Sequence, residues 1–398
     1  MKTKRDFLKL SALTAGAGLL APWKWGTPSS FTAQGGNPKP ATPGVQKPTG
    51  QSSPKFIVVD AQFHHVPTAI YKKVDEATFT TKDGKDLQAK NRDPKNKGKR
   101  ATRLLQDLEG TLRHMDACGT NVAMIQNPSW AVAGMEVCRV LNDGLAKAAE
   151  ESPKRFLPLA TVPYIYGQES IDELVRVKNE LGFKGIGIIT NQQGIRLDDK
   201  MLKPYFKKVV ELGILTVVHP PTQERGLWGG TKYDMDSSVS REYENIKCFT
   251  EVLNGVLPEF PELTFVFGHF GGGVPSLLGR IMSWYTPPKS AGLPERNIEL
   301  PMTIKEFEEF GMKPYFDKLF DRCYFDMAGT GGWAPEVTHA LAVIKPDRLC
   351  FGTDYPHEMS RVEDTVAYIN VIKSLKISDA DKAKMLGGNI LSLFKFKV

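Results

Sequence analysis

The sequence has few cysteines, and none of their spacings suggests a chemical role. Five cysteines are scattered singly along 398 residues, and no Cys-x-x-Cys pair occurs. An odd and dispersed set of cysteines excludes a disulfide framework. We therefore expect these side chains to be small buried hydrophobic groups. They are Cys118, Cys138, Cys248, Cys323 and Cys350.

An excess of charge is also missing from most of the chain. The formal net charge is +7, but residues 1–55 alone carry eight basic residues and one acidic residue, which is the whole excess. The remaining 44 basic and 44 acidic residues balance. The pI of about 8.9 is therefore no argument for a nucleic-acid partner, and none is predicted.

The sequence also lacks a hydrophobic run long enough to cross a membrane. The apolar stretch Leu10–Ala21 has only twelve residues, so no stable membrane insertion is expected. It follows Lys4–Lys9 (KRDFLK), which resembles a twin-arginine export motif with lysine in place of the first arginine. Residues 1–26 are predicted to be a Tat-like signal for export to the periplasm. An uncleaved amphipathic tail or anchor is the alternative.

Residues 27–55 separate this segment from the rest of the chain. They are rich in Pro, Gly, Ser, Thr and Gln and contain almost no large apolar side chain. Such a composition is typical of a disordered linker, because it cannot bury enough apolar surface to fold. The folded domain is therefore predicted to span residues 56–398.

Within this domain, short apolar runs alternate with longer amphipathic ones. The short runs lack polar alternation, which is typical of strands buried on both faces in a parallel sheet. Helical patterns such as Thr102–Cys118, Met135–Glu150 and Asn245–Leu257 lie between them. Eight such units favour an α/β fold of the (β/α)8 TIM-barrel type over an open doubly wound sheet. The predicted strands are Phe56–Asp60, Asn121–Gln126, Phe156–Thr161, Gly185–Ile189, Leu215–Val218, Thr264–Phe267, Cys323–Asp326 and Leu349–Phe351.

Polar side chains follow four of these strands, at the point where each strand ends. His64 follows the first strand, His219 the fifth, His269 the sixth and Asp354 the eighth. The carboxyl ends of barrel strands meet at one face, where barrel enzymes carry their active sites. A single strand-end histidine is more often structural, but the joint placement of all four suits one divalent metal with an open coordination position.

Three motifs resemble those of a known family. They are Gly268–Gly273 (GHFGGG), Phe351–Pro356 (FGTDYP) and Met385–Phe394 (MLGGNILSLF), and Leu257–Leu263 (LPEFPEL) is also typical. From about Phe56 to Phe394 the chain resembles the amidohydrolase-related enzymes typified by aminocarboxymuconate-semialdehyde decarboxylase.

The resemblance implies a role for each strand-end residue. Members of the family open with Asp-x-His-x-His, whose histidines bind the metal, and Gln62 and His64 occupy those positions here. His219 and Asp354 would complete the ligand set, and Asp354 would also be catalytic. His269 would be the catalytic histidine that handles a proton of the metal-bound water or of the substrate. No lysine ends the fourth strand, so one metal is expected rather than two.

Gln62 departs from the family pattern. Residues 60, 62 and 64 alternate along a strand, so Gln62 is expected to point where a ligand should. Its amide oxygen is a poorer donor than imidazole, which shifts the preference from zinc towards harder ions such as manganese. Resorcylate-type decarboxylases carry a glutamate at this position, a partial precedent for an oxygen ligand. Otherwise Gln62 would orient substrate in a metal-free site.

Two inserts after strand ends, residues 72–103 and 220–244, would lie over the mouth of the barrel. The run Lys90–Arg100 is strongly basic and could collect a small anionic substrate, although a solvated loop is an equal alternative. The predicted substrate contacts are Arg225, Trp228, Arg241 and His357. The histidines expected to be structural are His65, His114 and His339. Asp60 is expected to be structural rather than catalytic, whereas Asp326 could be either.

Two chemistries fit these residues. The favoured one is the non-oxidative decarboxylation of a small aromatic or unsaturated carboxylate. The alternative is hydrolysis of a lactone, ester or amide by a metal-activated water. A hypothesis from another class is a metal-free barrel that binds a ligand without turnover. Members of the family often form homodimers, and nothing in the sequence opposes this.

Overall fold

The computed structural model describes residues 56–70, 100–221, 239–295 and 299–398, and all of them belong to the unit Ser53–Val398. Several predictions fall outside these ranges. They concern the export signal, the linker, nearly all of the basic run Lys90–Arg100, and the substrate contacts Arg225 and Trp228.

Eight parallel strands form one sheet in the order of the sequence, and the sheet closes on itself. The edge between the first and last strands is bridged where Phe63 pairs with Tyr355 and the His64 N–H donates to the Tyr355 carbonyl at 2.8 Å. This closure confirms the (β/α)8 barrel and excludes the open doubly wound sheet. The strands are β1 Val59–His64, β2 Val122–Gln126, β3 Phe156–Thr161, β4 Gly185–Ile189, β5 Leu215–His219, β6 Phe265–Phe267, β7 Cys323–Asp326 and β8 Leu349–Cys350.

Helices follow the strands and pack around the barrel. One of them differs from its prediction: the helix expected over Thr102–Cys118 breaks at Asp107, whose carboxylate accepts the Gly110 N–H at 2.7 Å and so caps the second part. The helices are α1 Arg100–Gln106, α2 Leu108–Cys118, α3 Met135–Glu151, α4 Gln168–Asn179, α5 Lys203–Leu212, α6 Arg241–Glu251, α7 His269–Trp284, α8 Ile304–Glu309, α9 Met312–Phe320, α10 Ala334–Val343, α11 Val362–Ser374, α12 Asp379–Ala383 and α13 Asn389–Leu393.

The core has two layers, as strand alternation requires. Side chains such as Val59, Val122 and Val217 fill the interior of the barrel, where Ile390 and Phe394 also pack. A larger cluster lies between the strands and the surrounding helices. All five cysteines are buried and unpaired with one another, which confirms their prediction. Within the described ranges, no helix combines the length and the apolar character that crossing a bilayer requires.

Strand β1 differs most from its prediction. It begins at Val59 instead of Phe56 and continues to His64, and its register with β2 shifts between Asp60 and Phe63. Val59 and Ala61 pack inside the barrel, whereas Phe63 packs in the outer layer. Such a bulge reverses the alternation, so the prediction that Asp60 shares one face with Gln62 and His64 is wrong. Gln62 and His64 still reach the inner side.

Candidate metal centre

Three side chains from distant parts of the chain meet at the C-terminal mouth of the barrel. His64 ends β1, His219 ends β5 and Asp354 follows β8, and all three are buried. Each offers one ligand atom, and these atoms lie within 4.8 Å of one another. Two imidazoles and a carboxylate are a donor set that suits Zn²⁺ or Mn²⁺.

Asp60 holds Thr353, the residue that precedes Asp354. One Asp60 oxygen accepts the Thr353 N–H at 3.0 Å, and the other accepts the Thr353 hydroxyl at 2.6 Å. These bonds fasten the loop after β8 to β1, across the seam that closes the barrel. Asp354 itself has a φ of +51°, in the left-handed region. The geometry places Asp60 in a structural role.

His64 is oriented by both of its ring nitrogens. Nδ1 lies 3.0 Å from the Gln126 carbonyl oxygen, and Nε2 lies 2.7 Å from Asp354 Oδ1. Both partners are hydrogen-bond acceptors, so the ring is held with Nδ1 towards the Gln126 carbonyl and Nε2 towards Asp354. A divalent ion would bind Nε2, while the hydrogen bond at Nδ1 would keep the ring oriented.

Burial alone would raise the pKa of Asp354, but the hydrogen bond from His64 and the nearby charges of His64, His269 and Arg241 hold it well below its usual range. Asp354 therefore stays a carboxylate, the form that binds a metal. His219 has no hydrogen-bond partner for either ring nitrogen among the described residues. Burial, with the charges of His64 and Arg241, keeps its pKa well below the usual value. A neutral, buried and unpartnered imidazole beside a carboxylate fits a metal ligand.

His269 reaches the same place through an unusual backbone. Residues 269–273 all have φ between +53° and +93°, so the chain makes a left-handed turn before the regular part of α7. Glycines at 271–273 make this turn accessible, since glycine adopts positive φ at little cost. The His269 N–H donates to Asp326 Oδ1 at 2.9 Å, which anchors the turn to the end of β7. Asp326 thus positions the backbone of His269.

The His269 ring is held by Glu242, the second residue of α6. His269 Nδ1 lies 2.6 Å from Glu242 Oε1, and its Nε2 faces Asp354 Oδ2 at 3.7 Å. Burial alone would lower the pKa of His269, but the hydrogen bond and charge of Glu242, with Asp354, raise it to about 9. In this arrangement the imidazole is a cation at neutral pH and can donate a proton from Nε2.

Glu242 was not predicted from the sequence. It lies on a helix, 27 residues before His269, and no motif marks it. Its neighbour Arg241 was predicted as a substrate contact. Arg241 is largely buried and its Nε lies 3.4 Å from Glu242 Oε1. Among the described residues, its Nε and Nη2 have no hydrogen-bond partner. The first turn of α6 thus brings a cation and a carboxylate to the mouth of the barrel.

The remaining histidines are distributed as follows. His357 lies at the rim, exposed, with its ring centroid 5.2 Å from that of His64. His65 is buried, and burial lowers its pKa to about 4. His114 stacks on Tyr355 at 4.5 Å, and His339 lies 3.5 Å from the Ser276 hydroxyl on the outside of the barrel. None of the last three joins the metal-ligand group.

Gln62 lies next to this group and is fully buried. Its Oε1 accepts a hydrogen bond from Gln126 Nε2 at 2.8 Å, and its own Nε2 has no hydrogen-bond partner within residues 56–70, 100–221, 239–295 and 299–398. The structure therefore brings Gln62, His64, His219, His269 and Asp354 to one end of the barrel.

The chain is similar to decarboxylases of known function. A curated relative, the γ-resorcylate decarboxylase of a Rhizobium species, is 25% identical over 315 residues, which cover 74% of this chain and 88% of the relative. The 2-amino-3-carboxymuconate-6-semialdehyde decarboxylase of Dictyostelium discoideum is 27% identical over 266 residues, which cover 65% of this chain and 66% of the relative.

Solved structures show the same fold. The crystal structure of 5-carboxyvanillate decarboxylase from Sphingomonas paucimobilis superposes with a TM-score of 0.67 at 20% identity, covering 86% of this chain and 100% of that one. A dihydroxybenzoic acid decarboxylase from Polaromonas sp. JS666 was solved with bound manganese and 2-nitroresorcinol. It gives a TM-score of 0.65 at 21% identity, and the match covers 85% of this chain and 97% of that one. The sequence model of the amidohydrolase family matches residues 59–396, nearly the whole barrel. The chain belongs to the amidohydrolase family.

Proposed function

We propose that this protein is a metal-dependent, non-oxidative decarboxylase of a small aromatic carboxylate. The observation that carries the proposal is the position of His269. Its Nε2 faces Asp354 at 3.7 Å, beside the ligand atoms of His64 and His219, while Glu242 binds its other nitrogen. A proton donor beside a cation site is what replacement of a carboxylate by hydrogen requires. Two relatives that each match 74% of this chain are named as γ-resorcylate decarboxylases, which supports the proposal.

The proposed metal ligands are His64, His219, Asp354 and Gln62. When bound, one divalent ion would act as a Lewis acid that polarises a substrate oxygen and holds the substrate carboxylate. Gln62 would contribute an oxygen, which favours Mn²⁺ over Zn²⁺. Manganese is the ion in three of the similar decarboxylase structures.

Arg241 is the proposed anchor for the negative charge of the substrate. Nε and Nη2 of its buried guanidinium make no hydrogen bond to the described residues, which is costly until an anion binds, because each buried N–H has lost its hydrogen bond to water. A carboxylate or phenolate oxygen would satisfy both nitrogens. Arg225, Trp228 and His357 remain proposed substrate contacts.

His269 is the proposed proton donor. Its Nε2–H would transfer its proton to the ring carbon that carries the carboxylate. The bond from that carbon to the carboxylate carbon then breaks, its electron pair restores the aromatic ring, and CO₂ leaves. Glu242 would stabilise the imidazolium before the transfer and keep the ring in place during it.

The experiment measures metal content and CO₂ release on the same preparation. We expect about one metal ion per chain by elemental analysis, and CO₂ from 2,6-dihydroxybenzoate or another hydroxybenzoate after loading with Mn²⁺. His269→Asn should abolish turnover and keep the metal. If the protein hydrolyses lactones or esters and releases no CO₂ from any aromatic acid, the proposed decarboxylase activity is overturned. Absence of bound metal, with no effect of chelators, would favour the ligand-binding barrel instead.

We also propose that residues 1–26 direct export, which the Lys4–Lys9 motif and the Leu10–Ala21 stretch support. Deleting residues 1–26 should retain the protein in the cytoplasm of the producing bacterium. Equal amounts in the periplasm with and without the segment would overturn this.

A further inference from the structure

Two glutamines face each other inside the barrel, beneath the metal-ligand group. Gln62 on β1 and Gln126 at the end of β2 are both fully buried. Gln126 Nε2 donates to Gln62 Oε1 at 2.8 Å. The two remaining polar atoms of the pair, Gln62 Nε2 and Gln126 Oε1, are buried and have no hydrogen-bond partner in the part of the chain that the structure describes. Leaving such atoms unpaired costs free energy, on the order of 1–3 kcal/mol each, so an unpaired buried amide pair calls for a ligand.

The neighbouring backbone makes room for this pair. A Cβ at Gly187 would lie 2.9 Å from Gln126 Oε1, and a Cβ at Gly352 would lie 3.0 Å from the Cβ of Gln62. The contact at Gly187 is closer than real Cβ contacts come, and the contact at Gly352 is tighter than most, so a larger residue at either position would push against the glutamine side chains. The barrel interior is thus shaped around the two carboxamides.

The pair can be hydrogen-bonded in two ways. In one, Gln126 donates and Gln62 accepts, which leaves the Gln62 NH₂ group free. Turning both carboxamides by half a rotation makes Gln62 donate and Gln126 accept, and the Gln62 oxygen becomes free instead. The number of hydrogen bonds within the pair is the same. A cation requires the second arrangement, because only an oxygen can bind it.

Gln126 also controls His64. The Gln126 carbonyl oxygen accepts the His64 Nδ1–H at 3.0 Å, which leaves Nε2 as the nitrogen that can bind a metal. One residue therefore contacts both potential ligands of β1, one through its side chain and one through its backbone. None of the three metal-ligand residues His64, His219 and Asp354 is described as making both contacts.

We propose that Gln126 is a positioning residue for the metal, whose side-chain amide fixes which atom of Gln62 faces the ion. This inference rests on the proposed metal site. With a divalent cation bound, Gln126 Oε1 accepts from Gln62 Nε2, and Gln62 Oε1 is presented to the ion. The oxygen donor at this position then gives the site its preference for Mn²⁺ over Zn²⁺.

The test is a double-substitution cycle on the dissociation constant of Mn²⁺, measured on the full-length protein by electron paramagnetic resonance of the free ion. Gln126→Met keeps the length of the side chain and the backbone carbonyl but removes the amide. We expect it to weaken Mn²⁺ binding about tenfold, the lower end of what loss of an outer hydrogen bond to a ligand costs. In a Gln62→Leu background the same substitution should change the constant less than twofold, since no amide remains to be oriented.

Gln126→Glu provides the rescue, because a carboxylate can accept the Gln62 N–H but cannot donate to Gln62 Oε1. We expect Mn²⁺ affinity at least equal to that of the wild type, and this variant decides the question if Gln126→Met does not fold. Gln192→Leu is the matched control. Gln192 is also fully buried and donates to the Ala131 carbonyl at 2.9 Å, outside the metal-ligand group, so its loss should leave the constant unchanged.

The outcomes separate this inference from the proposed function. A wild-type protein that binds no metal overturns the metal site, and this inference with it. If the wild type binds one Mn²⁺ per chain and Gln126→Met binds it equally well, only the role of Gln126 is overturned. An equal loss in both backgrounds, or weaker binding by Gln126→Glu, would also overturn it, because Gln126 would then act independently of Gln62.

Discussion

Gly329 packs against the ring of the proposed proton donor, and its substitution tests whether the position of that ring matters. Gly329 has a φ of +85°, and a Cβ at this position would lie 2.7 Å from His269 Cγ and 2.8 Å from its Cβ. These distances are about 0.8 Å short of the roughly 3.5 Å at which carbon atoms pack. Alanine would also cost about 1–2 kcal/mol for its left-handed backbone.

In the Gly329→Ala variant, either the imidazole or the loop must move by most of that overlap. The His269–Glu242 hydrogen bond at 2.6 Å leaves the ring little freedom without losing its partner. A displacement near 1 Å in a reacting group costs about 100-fold in rate, so we expect kcat for CO₂ release to fall about 100-fold. The Mn²⁺ content should not change, since His269 is not in the ligand group.

Gly331→Ala is the matched control. Gly331 lies in the same loop with a φ of +59°, and its N–H, like that of Gly329, donates to Glu358. A Cβ there meets only Glu358 Oε1, at 3.9 Å. The control therefore carries the backbone strain without the contact on His269. Both variants should lose similar thermal stability, but only Gly329→Ala should lose most of its activity, and an equal loss of kcat in both would refute the reasoning.

Three further predictions concern α6. Glu242→Gln removes the negative charge beside His269, so kcat should fall about 10- to 100-fold with the metal retained; unchanged kcat would contradict the role of Glu242. Arg241→Met should raise KM for an aromatic carboxylate more than it lowers kcat, and a change in kcat alone would argue against substrate binding. Burial raises the pKa of Glu251 to about 7, so the folded protein binds a proton there that the unfolded chain releases above about 4.5. Stability from this group is lost as pH rises from about 4.5 to 7, so Glu251→Gln should raise Tm more at pH 8 than at pH 5, and equal shifts would contradict this.

Much of the fold could be predicted from the sequence because it depends on local pattern. Short apolar runs without alternation mark strands buried on both sides, and their ends place His219 and Asp354 without any knowledge of contacts. The β1 bulge could not be predicted, since one extra inward-facing residue does not change the sequence pattern of a run such as Ala61-Gln62-Phe63. The break at Asp107 was missed for a related reason: the helical periodicity continues across it, and only the cap hydrogen bond interrupts it.

Glu242 shows the limit of motif-based prediction. Its function comes from a contact with His269 across 27 residues, and it lies in a helix where glutamate is an ordinary surface residue. The partnership of Gln62 with Gln126 is of the same kind, because it depends on the register of two neighbouring strands. Such contacts between side chains of different elements require the three-dimensional structure.

The central claim is that His64, His219 and Asp354 bind one divalent ion at the mouth of the barrel. Anomalous diffraction from crystals of the Mn²⁺-loaded protein, collected on both sides of the manganese absorption edge, measures this directly. We predict one strong peak per chain within roughly 2.0–2.4 Å of His64 Nε2, a ring nitrogen of His219 and an oxygen of Asp354, as is usual for such ligands. A peak elsewhere in the protein, or none between these three side chains, would contradict the account.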